Sequence, residues 1–319
     1  MNEQAQEQFI PIFLESLITN TVLNFNLYLY DRIQNSYVLY HPHQTGFSKK
    51  GRHLLIENGI SLLFITAHER RQYQQYIETH LHQIVENVEL RSDEKARIVY
   101  QAARDLMEEV MEGTLNGAMI DRVRDFIKNT VQYILKERNF FFNIISFVPH
   151  TYYTYTHSIN VCIYALSLAR RMDIHSPYKL ANLGTGALLH DIGKKTISPE
   201  ILLKKGKLTD EEWEIIKEHP QRGVGLIKKY QNLHSDILQV INYHHEKLDG
   251  SGYPDGLKER AIPLYAKIVC IADIFDALNT NRPYKEAADT FHSIEVMHKE
   301  FEGKIDKTIF HELVLLFKG

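Results

Sequence analysis

Polar and apolar residues follow two different periods along this chain. In the first third, short runs rich in aromatic and branched residues stand between turn formers. Asn26-Leu27-Tyr28-Leu29-Tyr30 and Tyr37-Val38-Leu39-Tyr40 read as strands parted by Gln34-Asn35-Ser36. A short helix is expected over Lys49 to Glu57, closed by Asn58-Gly59, then a strand over Ile60 to Thr66 and a helix from His68 to about Asn87. Ser92 suits an N-cap, and Asp93 and Glu94 complement the positive end of a helix that runs to about Glu112 and stops near Gly113. Ile120, Val123, Ile127, Val131 and Ile134 then form one apolar stripe at helical spacing. From about Pro149 the pattern is almost wholly helical, over 151–172, 177–191, 209–230, 234–246, 263–279, 289–301 and 306–317. Pro199, Pro220, Pro254 and Pro283 fall at boundaries or turns of this series. The expected architecture is mainly α. A small α/β domain spans 1–88, a helical linker 89–148 and an all-α helical bundle 149–319. The two linker helices either pack on the bundle or form a seam between two copies of the chain.

Composition narrows the classes. With 44% hydrophobic and 24% charged residues, the 319-residue chain has the make-up of a soluble globular protein. A net charge of −3 gives no global basic field to attract a nucleic-acid polymer. The longest apolar stretch, Phe140 to Val148, is broken by Asn143 and is too short to span a bilayer. The two cysteines, Cys162 and Cys270, lie in apolar segments and form no CxxC pair, which argues against disulfide or zinc-thiolate roles and favours a reducing compartment. The start, Met1-Asn2-Glu3-Gln4, carries no secretory signal, so a cytoplasmic location is expected.

Two motifs carry the candidate chemistry: His190-Asp191-Ile192-Gly193-Lys194, and the run from His244-His245-Glu246 to Gly252-Tyr253-Pro254. Imidazole nitrogens with a bridging carboxylate suit divalent transition metals that activate water. A His-Asp dipeptide alone is weak evidence, since neighbours on a helix diverge by about 100 degrees. The His244-His245 pair is stronger, because two consecutive histidines at the end of an apolar helix each need a partner for their ring nitrogens. Asp273 lies in the apolar run Ile268 to Leu278, where a carboxylate is costly unless a cation or several donors meet it. Asp276, one turn later, is suited to orienting a neighbouring ligand.

These motifs resemble the HD-GYP family, a branch of the HD superfamily of metal-dependent phosphohydrolases. The resemblance covers about Pro149 to the end. It rests on His157-Ser158-Ile159-Asn160-Val161, His190 to Lys194, His219-Pro220 with Gly223, His244 to Pro254, and Asp273 to Leu278 with Arg282-Pro283-Tyr284. It implies an HD-type bundle in which His157, His190, Asp191, His219, His244, His245 and Asp273 coordinate metals, with Asp191 bridging. Iron or manganese is the expected metal. His219 would otherwise read as an ordinary helix-end histidine; only the family pattern promotes it. Members that hold three metals carry a glutamate four residues before the first histidine. Here that position is Tyr153, a poor ligand near neutral pH, so two metals are expected.

The resemblance further implies hydrolysis of cyclic di-GMP to pGpG, and on to GMP in some members, by a hydroxide held between the two metals. Lys194 is placed to contact the scissile phosphate and, with Asp191, to serve catalysis. Tyr253, Arg282 and Lys285 are candidate substrate contacts, though Tyr253 equally suits bracing its loop and Arg282 and Lys285 equally suit locking a helix end. Lysines 194, 195, 204, 205 and 207 form either an anion-attracting mouth or a solvated loop. Two rival readings are an HD-type hydrolase of another nucleotide and a receptor that binds cyclic di-GMP without cleaving it. The N-terminal unit is read as regulatory, and it or the linker is open to forming a homodimer.

Overall fold

Branched and aromatic residues in the first hundred positions make strands, whereas the later helices are set by caps and prolines. The computed structural model describes residues 8–137, 139–147, 154–204, 206–230, 233–280 and 289–318. The chain divides into two compact units, Met1–Ala102 and Ala103–Gly319.

In the first unit the strands are β1 (Phe9–Phe13), β2 (Thr21–Leu23), β3 (Leu27–Asp31), β4 (Ser36–His41), β5 (Thr45–Phe47) and β6 (Leu62–Thr66). The helices are α1 (Lys49–Glu57) and α2 (Arg70–Glu86), and α3 (Ser92–Glu112) begins here. Four strands form an antiparallel sheet in the order β1-β6-β3-β4, and β2 pairs with β5 in a separate ribbon. Ile12, Leu27, Leu63 and Ile65 supply its buried face. The expected α/β unit is present. Strands β1, β2 and β5 add to the expectation; β1 carries Pro11 and lies at a sheet edge, where a missing N–H is tolerated.

The second unit is helical: α4 (Gly117–Lys136), α5 (Phe140–Ile145), α6 (Thr154–Arg171), α7 (Pro177–Leu189), α8 (Pro199–Leu202), α9 (Asp210–Lys217), α10 (His219–Ile227), α11 (Ser235–Tyr243), α12 (Leu264–Asn279), α13 (Thr290–Glu300) and α14 (Lys307–Leu316). Helix α7 is the central element. Ser176 caps it, Pro177 opens it, and it packs against α4, α6 and α11 through Leu180, Leu183, Ala187 and Leu188. Helix α12 closes the core against α6 and α11. Among the described residues no helix is long and apolar enough to cross a membrane.

One expected element divides. The span 209–230 forms two helices, because Pro220 lacks the N–H that would continue α9 and its ring crowds the carbonyl four residues back, at Ile216. Thr209 and Glu212 start α9 with a capping box. Helix α11 also stops earlier than expected, at Tyr243, so that His244 and His245 lie on the turn after it.

Leu183 is 0% exposed at the centre of this packing and Leu203 is 66% exposed. Leu183→Ala is expected to lower the free energy of chemical unfolding by about 2–5 kcal/mol, and Leu203→Ser by no more than about 0.5 kcal/mol.

Candidate metal centre

Three helix ends aim histidines at one point. The last four carbonyls of a helix lack amide partners, and a histidine just past the end can return a ring N–H to one of them. His190 Nδ1 donates to Ala187 O at 2.7 Å, His219 Nδ1 to Ile216 O at 2.7 Å, and His244 Nδ1 to Ile241 O at 2.9 Å. A carbonyl only accepts, so each of these Nδ1 atoms carries a proton, and a ring protonated there alone turns an Nε2 lone pair inward. His157, within α6, is oriented differently: its Nδ1 donates to Asp276 Oδ2 at 2.7 Å, and Asn160 Nδ2 donates to Asp276 Oδ1 at 2.9 Å.

The side chains expected as ligands come together in two groups, Asp191 with His219, His244 and His245, and His157 with His190 and Asp273. Within each group the donor atoms lie within 4.8 Å of one another. Asp191 reaches both groups. Its Oδ1 is 3.2 Å from His219 Nε2, while its Oδ2 is 3.4 Å from His190 Nε2 and 3.6 Å from His157 Nε2. Asp273 places Oδ1 3.1 Å from His157 Nε2 and Oδ2 3.6 Å from His245 Nδ1. Lys194 Nζ donates to Asp191 Oδ2 at 2.6 Å.

The donor set fits divalent cations. His219 Nε2 and His244 Nε2 face each other at 3.2 Å although both rings hold their protons on Nδ1. His190 Nε2 and Asp191 Oδ1 are buried and make no hydrogen bond, the 3.2 Å approach of His219 to Asp191 being misaligned for one. Converging lone pairs and carboxylates repel unless a cation lies among them. Five imidazoles and two carboxylates are the nitrogen and oxygen donors that suit divalent transition metals.

Electrostatics keep the donors in their ligating states. Burial would raise the Asp191 carboxyl, but the Lys194 ammonium and the His190 ring outweigh it and hold the acid well below the usual range. Burial likewise opposes ionisation of Asp273, yet the close approach of His157 and then of His245 holds its carboxyl low. Burial, then neighbouring imidazoles, push His244 and His245 well below the ordinary histidine value.

Backbone packing fixes the surrounding turns. A Cβ on Gly193 would stand 1.9 Å from His219 O and 2.6 Å from Gly223 N, so only glycine lets the turn after Asp191 lie against α10. On Gly252 a Cβ would stand 2.4 Å from Lys247 N and 2.5 Å from His245 O, which binds the following loop to the His244-His245 turn. Tyr253 thereby tilts over His245 with ring centroids 4.6 Å apart, and a cis bond joins it to Pro254. Burial, then the Asp273 and Asp191 charges, push its phenol up, so it remains protonated.

Lysines 195 and 204 have structural partners: Lys195 Nζ donates to Val110 O, Met111 O and Gly113 O, and Lys204 Nζ to the Glu212 carboxylate. Tyr153, Lys205, Arg282 and Lys285 lie outside the described residues. Two roles escaped the sequence reading. Asn160 steadies Asp276, and its three-residue spacing from His157 was the available signal. Glu246 is buried and accepts Asp255 N at 2.8 Å and Leu257 N at 2.9 Å, holding the Tyr253 loop; an acid beside two histidines gave no hint of that role.

The chain matches the HD domain family over residues 132–309, more than half its length, and belongs to that family. It is 33% identical over 200 residues to the cyclic di-GMP phosphodiesterase PA4108 of Pseudomonas aeruginosa, covering 62% of this chain and 48% of that protein. With the cyclic di-GMP phosphodiesterase response regulator RpfG of Xanthomonas campestris it shares 53% identity over 102 residues, 32% of this chain and 27% of that protein. The 3′3′-cGAMP-specific phosphodiesterase 3 of Vibrio cholerae is 37% identical over 161 residues, 50% of this chain and 35% of that protein. This chain therefore spans half or less of the length of these curated relatives. Among solved structures, Bd1817, a HDG"Y"P protein from Bdellovibrio bacteriovorus, superposes with a TM-score of 0.67 over 98% of this chain and all of that one, at 21% identity. That likeness establishes the shared fold.

The buried rings carry a pH signature. His244 and His245 sit well below 6.5 in the folded protein, so on acidification the unfolded chain takes up these protons first. Their contribution to stability is complete above pH 6.5 and is lost as pH falls below it; Asp191 and Asp273, held below 3.8, add a second loss below that pH. Chelator-treated protein is expected to show a falling thermal midpoint from about pH 7.5 to about pH 5.5, and His244→Asn to flatten that fall.

Proposed function

We propose that this chain is a metal-dependent phosphodiesterase that hydrolyses cyclic di-GMP to linear pGpG. The observation that carries the reading is the seven-donor centre, two adjacent groups spanned by Asp191 with Lys194 at its edge. Relatives named cyclic di-GMP phosphodiesterases support the substrate. Asp191, His219, His244 and His245 would hold one cation, and His157, His190 and Asp273 the other, with Asp191 shared between them. Iron or manganese suits this nitrogen-rich set, and Tyr153 in place of a carboxylate supports two metals rather than three. Bound divalent cations supply neutralisation of phosphodiester charge and an activated water.

The chain's own residues supply the rest. Asp276 and the helix-end carbonyls hold the imidazoles in the tautomer that directs a lone pair inward. Lys194 keeps Asp191 ionised and brings an ammonium to the phosphate, where it stabilises charge on the departing ribose oxygen. Tyr253 shields the His245 side from water. Arg282 and Lys285 are proposed phosphate contacts. Residues 1–88 are proposed as a regulatory domain and 89–148 as a linker, either of which offers a homodimer surface. Free, buried Cys162 and Cys270 fit a cytoplasmic setting.

The relative named as 3′3′-cGAMP-specific favours a second substrate reading, in which the mixed dinucleotide is preferred. Metal-loaded protein given each dinucleotide separates them: the proposal expects faster conversion of cyclic di-GMP to pGpG. Asp191→Ala is expected to abolish turnover together with metal, and Lys194→Ala to lower kcat about a hundredfold. Faster cleavage of 3′3′-cGAMP would replace the substrate, and binding without turnover by the metal-loaded protein would make the chain a receptor.

A further inference from the structure

Beside the metal centre stands an aromatic corner whose outer member, Trp213, the reaction as described leaves unused. Trp213, the only tryptophan of the chain, lies on α9 and is 45% exposed. Its ring meets that of Tyr253 at 81° with centroids 6.4 Å apart. Tyr253 in turn lies 4.6 Å from His245 and 6.4 Å from His219, ring to ring. Trp213 is thus one ring removed from two of the candidate ligands. The indole is nearly half exposed, and two rings near a right angle can hold a third, one by stacking and one by its edge.

Both rings are held in position. Glu212, the neighbour of Trp213, accepts Thr209 N at 2.7 Å and the Lys204 ammonium, which fixes the first turn of α9. The Tyr253 loop is held by Glu246 and by the close approach at Gly252. Charge selects what fits. Asp210, Glu211, Glu212 and Glu214 outnumber Lys217 on α9 and disfavour a phosphate there, although Lys204 and Lys217 pair with Glu212 and Glu214. Lys194 is bonded to Asp191 at the metal centre, which is where a phosphate is drawn, so the neutral, planar base is the part of a nucleotide suited to the corner.

We propose that Trp213 and Tyr253 form a base-binding subsite, in which a purine stacks on the indole while the adjoining phosphodiester lies at the metal centre. The inference rests on the phosphodiesterase reading for its substrate and its KM readout, while its emission readout is independent of turnover. Stacking of a base on an aromatic ring contributes binding that alanine removes, so Trp213→Ala is expected to raise KM for cyclic di-GMP about tenfold, with a smaller effect on kcat. Trp213→Phe, which keeps a stacking face, is expected to restore KM to within about threefold of the parent. Because Trp213 is the sole indole, its emission reports the corner directly: GMP should quench it saturably in metal-loaded protein, and ribose 5-phosphate should not. A KM unchanged in Trp213→Ala, or a KM in Trp213→Phe as high as in Trp213→Ala, overturns the subsite while leaving the phosphodiesterase reading intact. If cyclic di-GMP is not turned over at all, that reading fails and the GMP titration alone decides: saturable quenching supports the subsite, and unchanged emission overturns it.

Discussion

Everything at this centre depends on how three helices end. The terminal carbonyls of α7, α9 and α11 need donors, and His190, His219 and His244 supply them through Nδ1. One local hydrogen bond therefore does two things. It satisfies a helix end, and it commits the ring to a tautomer whose Nε2 lone pair points away from the helix. Because the three ends converge, the lone pairs converge too, on the carboxylate of Asp191. The resulting repulsion is costly in a buried site unless positive charge lies within it. Folding the bundle thus creates the affinity for cations; the ligands are not attached to a finished scaffold afterwards.

The surrounding packing makes that convergence tight. Gly193 lets the turn after Asp191 lie against α10, which sets the Asp191 and His219 side chains face to face. Asp276 and Asn160 tie His157 of α6 to α12, the helix that also carries Asp273. A larger residue at position 193 would separate α10 from the turn. Loss of Asp276 would free His157 to rotate without removing any proposed ligand. Positions that touch no metal in the proposed reading are therefore as necessary to it as those that do.

Much of this was legible in the sequence. Helical period, caps and prolines located α1 and α4, and the bundle helices α11 to α14, to within a few residues. The His-Asp and His-His pairs marked the centre directly. His219 was promoted only by resemblance, yet a local signal existed: Pro220 deprives Ile216 O of its amide partner, three residues before a histidine able to supply a donor. The same proline divided the helix expected over 209–230, so one residue explains both the missed boundary and the weakly read ligand. Other features depend on distant partners. The role of Glu246 requires the amides of Asp255 and Leu257, and the exposure of Trp213 has meaning only beside Tyr253. Strand β1 pairs with β6 across nearly fifty intervening residues, a contact no local pattern encodes.

The central claim is that seven converging side chains hold two divalent cations that share Asp191. Anomalous X-ray scattering from crystals of the manganese- or iron-loaded protein tests it most directly. The account predicts two peaks, one among Asp191, His219, His244 and His245 and the other among His157, His190 and Asp273, with Asp191 in reach of both. A single peak, a third well-occupied peak, or peaks outside these donors would contradict it.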